Sequence, residues 1–194
     1  MKKSKIIFLT MAFAAFSFVN QSAFAQDNFM VNVENSSLTW KGYKPTGSHT
    51  GTITLASGNI EVKNNKLTGG TFVADMSTIK DADGSAKLEG HLKSEDFFEI
   101  AVFPTSKFEI TKTEINAGKI QVTGNMTIKG ITKQITFPAT LAVSKDNVTL
   151  ISETFQINRA DFNVKYKSKT FFNDLKDKFV NDEFDFQVTI IATK

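Results

Sequence analysis

Lys119-Ile120-Gln121-Val122-Thr123-Gly124-Asn125-Met126-Thr127-Ile128-Lys129 decides the fold. Ile120, Val122, Gly124, Met126 and Ile128 take every second position, with Lys119, Gln121, Thr123, Asn125, Thr127 and Lys129 between them. Successive side chains of a strand point to opposite faces, so the pattern predicts a half-buried strand. The same period returns at Ile135, Phe137, Ala139, Leu141 and Val143, and at Phe184, Phe186, Val188 and Ile190. Shorter versions stand at Leu38/Trp40, Ile53/Leu55, Ile60/Val62 and Phe108/Ile110.

Turn-forming residues punctuate these runs at Ser57-Gly58-Asn59, Asn64-Asn65, Asn116-Ala117-Gly118, Lys129-Gly130 and Lys145-Asp146-Asn147. Short connections imply antiparallel neighbours, and closing the sheet removes exposed edges. The expected fold is therefore all-β: a closed antiparallel barrel of about eight strands with two short helices. One helix is expected within Gly84 to Phe98, where Leu88, His91 and Leu92 have helical spacing. The other is expected over Thr170 to Val180, where Phe171, Phe172, Leu175 and Phe179 form an apolar stripe that would cover one end. Pro104 marks the start of a following strand.

Residues 1–25 carry a different pattern. Lys2, Lys3 and Lys5 precede an apolar run from Ile6 to Val19, and Ala23-Phe24-Ala25 is a small-x-small cleavage signal. This reads as a secretory leader, expected to be removed, so that the mature protein is expected to be exported. The remaining segment, 26–194, is expected to be a single domain. Of 23 basic residues three leave with the leader, so 20 face 20 acidic ones and the mature chain is formally neutral. That balance speaks against nucleic acid as a partner. With no cysteine there is neither a disulfide framework nor a thiolate.

The chemistry-bearing residues are few. His49 and His91 form no ligand-spaced pair. Asp81-Ala82-Asp83-Gly84 is similar to the opening of a calcium loop but lacks the later oxygen ligands, and reads as a solvated turn. No metal, catalytic residue or cofactor is expected. His91 and Ser94 lie three apart without a nucleophile elbow, which favours capping and packing roles. Arg159, the only arginine, stands two residues from Asp161; a structural ion pair is favoured over a contact with an anionic headgroup. Five of 19 phenylalanines leave with the leader, and the 14 that remain offer apolar surface with no polar handle. With Gly42, Gly51, Gly69, Gly70 and Gly124 leaving space, they suggest a tunnel more than a filled core.

Several stretches together resemble the YceI-like family of exported bacterial proteins. They are His91-Leu92-Lys93-Ser94-Glu95-Asp96-Phe97-Phe98 followed by Phe103-Pro104, and Gly124-Asn125-Met126-Thr127-Ile128-Lys129-Gly130-Ile131-Thr132-Lys133. Ser48-His49-Thr50-Gly51 and Arg159-Ala160-Asp161-Phe162 fit as well. Asn163 stands where the family commonly has glycine. The resemblance implies a lipocalin-like barrel whose tunnel holds a long-chain isoprenoid or another amphiphilic lipid, with periplasmic residence and no established catalysis. The residues expected to touch such a ligand are Trp40, His49, Phe72, His91, Phe97, Phe98, Phe108, Met126, Phe137, Arg159 and Phe184.

Two other classes compete with this carrier. Alternation is also the signature of a small outer-membrane barrel, although scarce Tyr and Trp and many strand lysines oppose it. An enzyme acting on a lipid or isoprenoid quinone would have to work through His49, His91 or Arg159. Stable membrane insertion is not expected, and a homodimer is compatible with the sequence.

Overall fold

The computed structural model describes residues 26–116 and 118–194; the leader lies outside them. The described chain forms ten strands in antiparallel pairings. They are β1 (Asp27–Val31), β2 (Ser37–Lys44), β3 (Gly47–Lys63), β4 (Lys66–Asp81), β5 (Thr105–Asn116), β6 (Lys119–Ile128), β7 (Ile131–Val143), β8 (Asn147–Ser152), β9 (Phe155–Asn158) and β10 (Glu183–Thr193). One α-helix, α1 (Ala86–Lys93), joins β4 to β5. Each strand from β2 to β7 pairs with the next, β7 pairs with β8, and β10 pairs with both β8 and β2. The circuit closes as a ring of eight.

The two remaining strands fill out the same circuit. β1 lies between β10 and β3, the two partners of β2, and so prolongs β2. β9 pairs with Glu183–Phe186 of β10, where the pairing with β8 has ended, and so prolongs β8. Every ring strand thus has a neighbour on both sides over at least part of its length.

The two poles differ. The β3–β4 connection at Asn64-Asn65, the β5–β6 connection and Ser144–Asp146 between β7 and β8 lie at one pole. Asn64 and Asn65 both adopt positive φ (53° and 58°), as a tight two-residue hairpin requires. At the other pole lie the Lys129-Gly130 hairpin, α1 with its flanking loops, and the long connection Arg159–Asp182. Ser85 caps α1 by accepting from the Leu88 N–H at 3.3 Å. The helix expected in this stretch is thus present. Asn163 closes the 3-10 turn Arg159–Phe162 at φ 59°. Asparagine tolerates that left-handed conformation better than most residues with a side chain.

Two expectations need correction. Ser57-Gly58-Asn59 is not a turn: β3 runs through it, and a register shift between Leu55 and Ser57 takes up the irregularity as a bulge. Bulges at three places curl the long β3–β4 pair around the ring. Thr170 to Val180 is not an amphipathic helix. Its only regular piece is a 3-10 turn at Lys176–Lys178, and Phe171 and Phe172 are exposed.

The interior divides along the ring axis. Toward the short turns, Phe29, Ile60, Val62, Leu67, Ile110, Val122, Ala139, Val148 and Ala192 are buried and border no cavity. They form a filled core. Toward the other pole the inward positions stand apart.

Candidate functional site

That upper half encloses a cavity of about 540 Å³, within the roughly 300–1,000 Å³ typical of small-molecule sites. One wall is a run of rings on the strands. Phe108 of β5 lies 5.5 Å from Phe137 of β7, which stacks on Phe155 of β9 at 4.3 Å with 10° between planes. Phe186 and Phe184 of β10 continue the run at 6.3 and 5.3 Å. Period two alone puts these side chains inward, and offset rings in contact hold one another in place. Phe72, Met126 and Trp40 line other parts of the wall.

The roof is built from the two long connections. His91 of α1 meets the Tyr166 ring edge-on at 4.4 Å and the Phe97 ring at 5.0 Å, and Phe98 sits beside Phe97. His91 Nε2 lies 3.0 Å from Asp96 Oδ2. Arg159 stands over Phe97 with its guanidinium carbon 5.8 Å from the ring centre. Only 4% exposed, Arg159 donates to three backbone carbonyls: Nε to Asn181 at 2.9 Å, one terminal nitrogen to Val164 at 2.8 Å, the other to Val180 at 2.9 Å. Its carboxylate partner is Asp182 at 3.3 Å, while Asp161, the neighbour in sequence, is exposed. Burial pulls the guanidinium below its ordinary pKa, and Asp182 opposes that pull. Burial pushes the Asp182 carboxyl up, but hydrogen bonds from Ser168 and Thr170 and the charge of Arg159 outweigh it, so the carboxyl titrates below its ordinary range.

Exposed Lys44, Thr46, Asp177 and Lys178, with half-buried Phe179, border the cavity where it reaches solvent at this pole. Tyr43 braces the mouth by donating to Asp185 Oδ2 at 2.5 Å, which raises the phenol and lowers the carboxyl from their ordinary values.

All eleven residues expected to touch a ligand border this cavity, although His49 and Arg159 do so from the rim and roof. Phe155, Phe186, Tyr43 and Phe179 border it too and were not among them. Phe186 was legible from its alternating run; Phe155 sits on a strand of four residues, too short to show a period. The small residues need correction. Of the five glycines expected to leave space (Gly42, Gly51, Gly69, Gly70 and Gly124), Gly42 alone opens onto free space. A Cβ on Gly51 would strike the Trp40 indole and the Lys80 carbonyl, and one on Gly124 would strike the Phe108 ring. Gly69 and Gly70 are likewise occupied, by Glu61 and by the backbone at Asn59 and Ile60. At Gly51 and Gly124 the missing Cβ makes room for the Trp40 and Phe108 rings.

Ser94 Oγ donates to the His91 carbonyl at 2.8 Å and Ser152 Oγ accepts from the Val188 N–H at 2.8 Å. Both hydroxyls serve the backbone.

A closed antiparallel ring with an apolar cavity entered from one pole defines a lipocalin-like fold. The chain belongs to the YceI-like family, whose domain pattern matches residues 29–192. Over 62 residues it is 37% identical to the "UPF0312 protein" of Pseudomonas aeruginosa and 34% identical to "Protein YceI" of Salmonella arizonae; each match spans 32% of both chains. Among solved structures, Burkholderia cenocepacia BcnA superposes with a TM-score of 0.71 at 22% identity, covering 84% of this chain and 99% of that one. A polyisoprenoid binding domain from Saccharophagus degradans, implicated in plant cell wall breakdown, gives 0.66 at 13% identity over 85% and 97%. At these identities the likeness is one of fold.

Proposed function

We propose that this chain is an exported, periplasmic carrier that holds a long-chain isoprenoid or similar amphiphilic lipid without transforming it. The observation that carries the reading is the aromatic-walled cavity open at one pole. A hydrocarbon chain gains roughly 25 cal/mol for each Å² it withdraws from water, and phenylalanine walls ask for no polar group in return. The lysines at the mouth suit a polar head left near solvent. The polyisoprenoid binding described for the Saccharophagus domain supports the same ligand class, and the leader sequence supports export.

Catalysis is disfavoured by the way the reactive side chains are tied. Arg159 holds backbone carbonyls, and Ser94 and Ser152 bond the backbone. A membrane-spanning barrel is disfavoured by polarity. Such barrels are apolar outside and polar within, whereas here Phe72, Phe108, Phe137 and Phe184 point in and β6 turns Lys119, Gln121 and Thr123 out.

Native mass spectrometry of protein purified gently from its own host reads ligand mass and copy number together. The expected result is a lipid adduct that Gly42→Trp removes, since a side chain there enters open space at the mouth. Absence of any adduct, with apolar fluorescent probes also failing to bind, would end the carrier proposal.

A further inference from the structure

At the rim, β3, β4 and the turn after β4 bring together three side chains with metal-ligating atoms, His49, Asp81 and Asp83. Their register pairs Gly51 with Asp81, and Ala82 N donates to the Thr50 carbonyl at 2.8 Å. His49, two residues before Gly51, therefore stands beside the turn that carries Asp83. The His49, Asp81 and Asp83 ligand atoms all lie within 4.8 Å of one another.

The Asp81 side chain is fully buried. Its Oδ2 accepts from the Ser85 N–H at 3.1 Å, and its Oδ1 faces His49 Nδ1 at 3.4 Å. Both facing atoms are shielded from solvent, and neither has a hydrogen-bond partner among the described residues. Buried polar atoms rarely remain unpaired without a reason. Two donors bonded at about 2.1 Å to one tetrahedral ion stand about 3.4 Å apart. The His49–Asp81 spacing is thus that of two ligands sharing an ion. Two carboxylates would neutralise a divalent charge, and among the described residues no lysine or arginine lies within ion-pair distance of either.

We propose that His49 Nδ1, Asp81 Oδ1 and the Asp83 carboxylate bind a divalent first-row transition cation of the zinc type. One imidazole with two carboxylates suits such an ion, whereas calcium and magnesium favour all-oxygen shells of six or more. Three protein ligands leave a fourth position for water. Asp83 is exposed, which gives the ion a path in, and the His49 ring also borders the cavity, which puts the ion in its rim. Sequence spacing hid the set because the ligands come from two strands and a turn.

The test is calorimetric titration of zinc chloride into chelator-stripped protein made without a polyhistidine tag. One ion per chain is expected, weakened at least tenfold by His49→Gln and by Asp83→Asn. Asp83 is exposed, so its variant keeps the fold even if a change at His49 does not. Nitrogen-15 spectra of the unaltered protein provide a second readout: zinc should move the His49 Nδ1 resonance and leave His91 in place. Binding indifferent to both substitutions, movement of His91 instead of His49, or displacement of zinc by equimolar calcium overturns the proposal.

Discussion

The two halves of the ring share one binary pattern and reach opposite results. Toward the short turns, Ile60, Val62, Val122 and Val148 meet and fill the axis. Toward the mouth, Trp40, Phe72, Phe108, Phe137, Phe155 and Phe184 are equally apolar and inward, yet the axis stays open. Hydrophobicity cannot be the difference. Compact branched side chains project straight from the sheet and interlock with those opposite. The rings instead lean along the wall onto one another, as Phe137 does on Phe155, or lie across a glycine, as Phe108 does on Gly124 and Trp40 on Gly51. Hollowness is a matter of where the rings rest.

The sharpest way to break this comparison is to delete equivalent bulk from each half. Ile60→Ala should cost about 2–5 kcal/mol by leaving a void in close-packed surroundings, whereas Met126→Ala, which only widens an existing space, should cost under about 2 kcal/mol. Urea unfolding of the two variants measures both; equal losses would mean the halves are packed alike. Adding bulk should give the mirror image. Ala139→Leu in the filled half should lose about 1–3 kcal/mol, and Ala74→Leu, facing the cavity, under about 1 kcal/mol.

The smallest effect concerns acid. Asp182 titrates below its ordinary value, so its contribution is present above about pH 4 and is lost as pH falls through the lowered folded value. Its contacts belong to the roof alone. Hydrogen exchange should therefore quicken first at Val180 and Asn181 on acidification, while Val122 and Val148 stay protected. Asp182→Asn should flatten that pH dependence.

Strand periodicity was legible because a ring with one wet face and one greasy face forces alternation on every strand. The strand aromatics that border the cavity were legible for the same reason: inward rings at one end must border whatever space exists there. What escaped depended on partners far apart in sequence. Thr170 to Val180 has helical spacing, but Arg159 takes the carbonyl of Val180, and the Val180 N–H is given to Lys167 at 2.9 Å. Backbone groups so engaged are withdrawn from a helical ladder. The bulge at Ser57 follows from the curvature of two long strands, which no local residue declares. The glycine at 124 announced a gap, and only the Phe108 ring above it shows that the gap is filled.

Arg159 works as a keystone for the doorway. One planar cation gathers the carbonyls of Val164, Val180 and Asn181, so both ends of a loop with a single 3-10 turn hang from one rigid fork. Lysine, a point charge on a supple stem, could not span the same three acceptors. Loosening that side chain would release both ends of the loop at the entrance together.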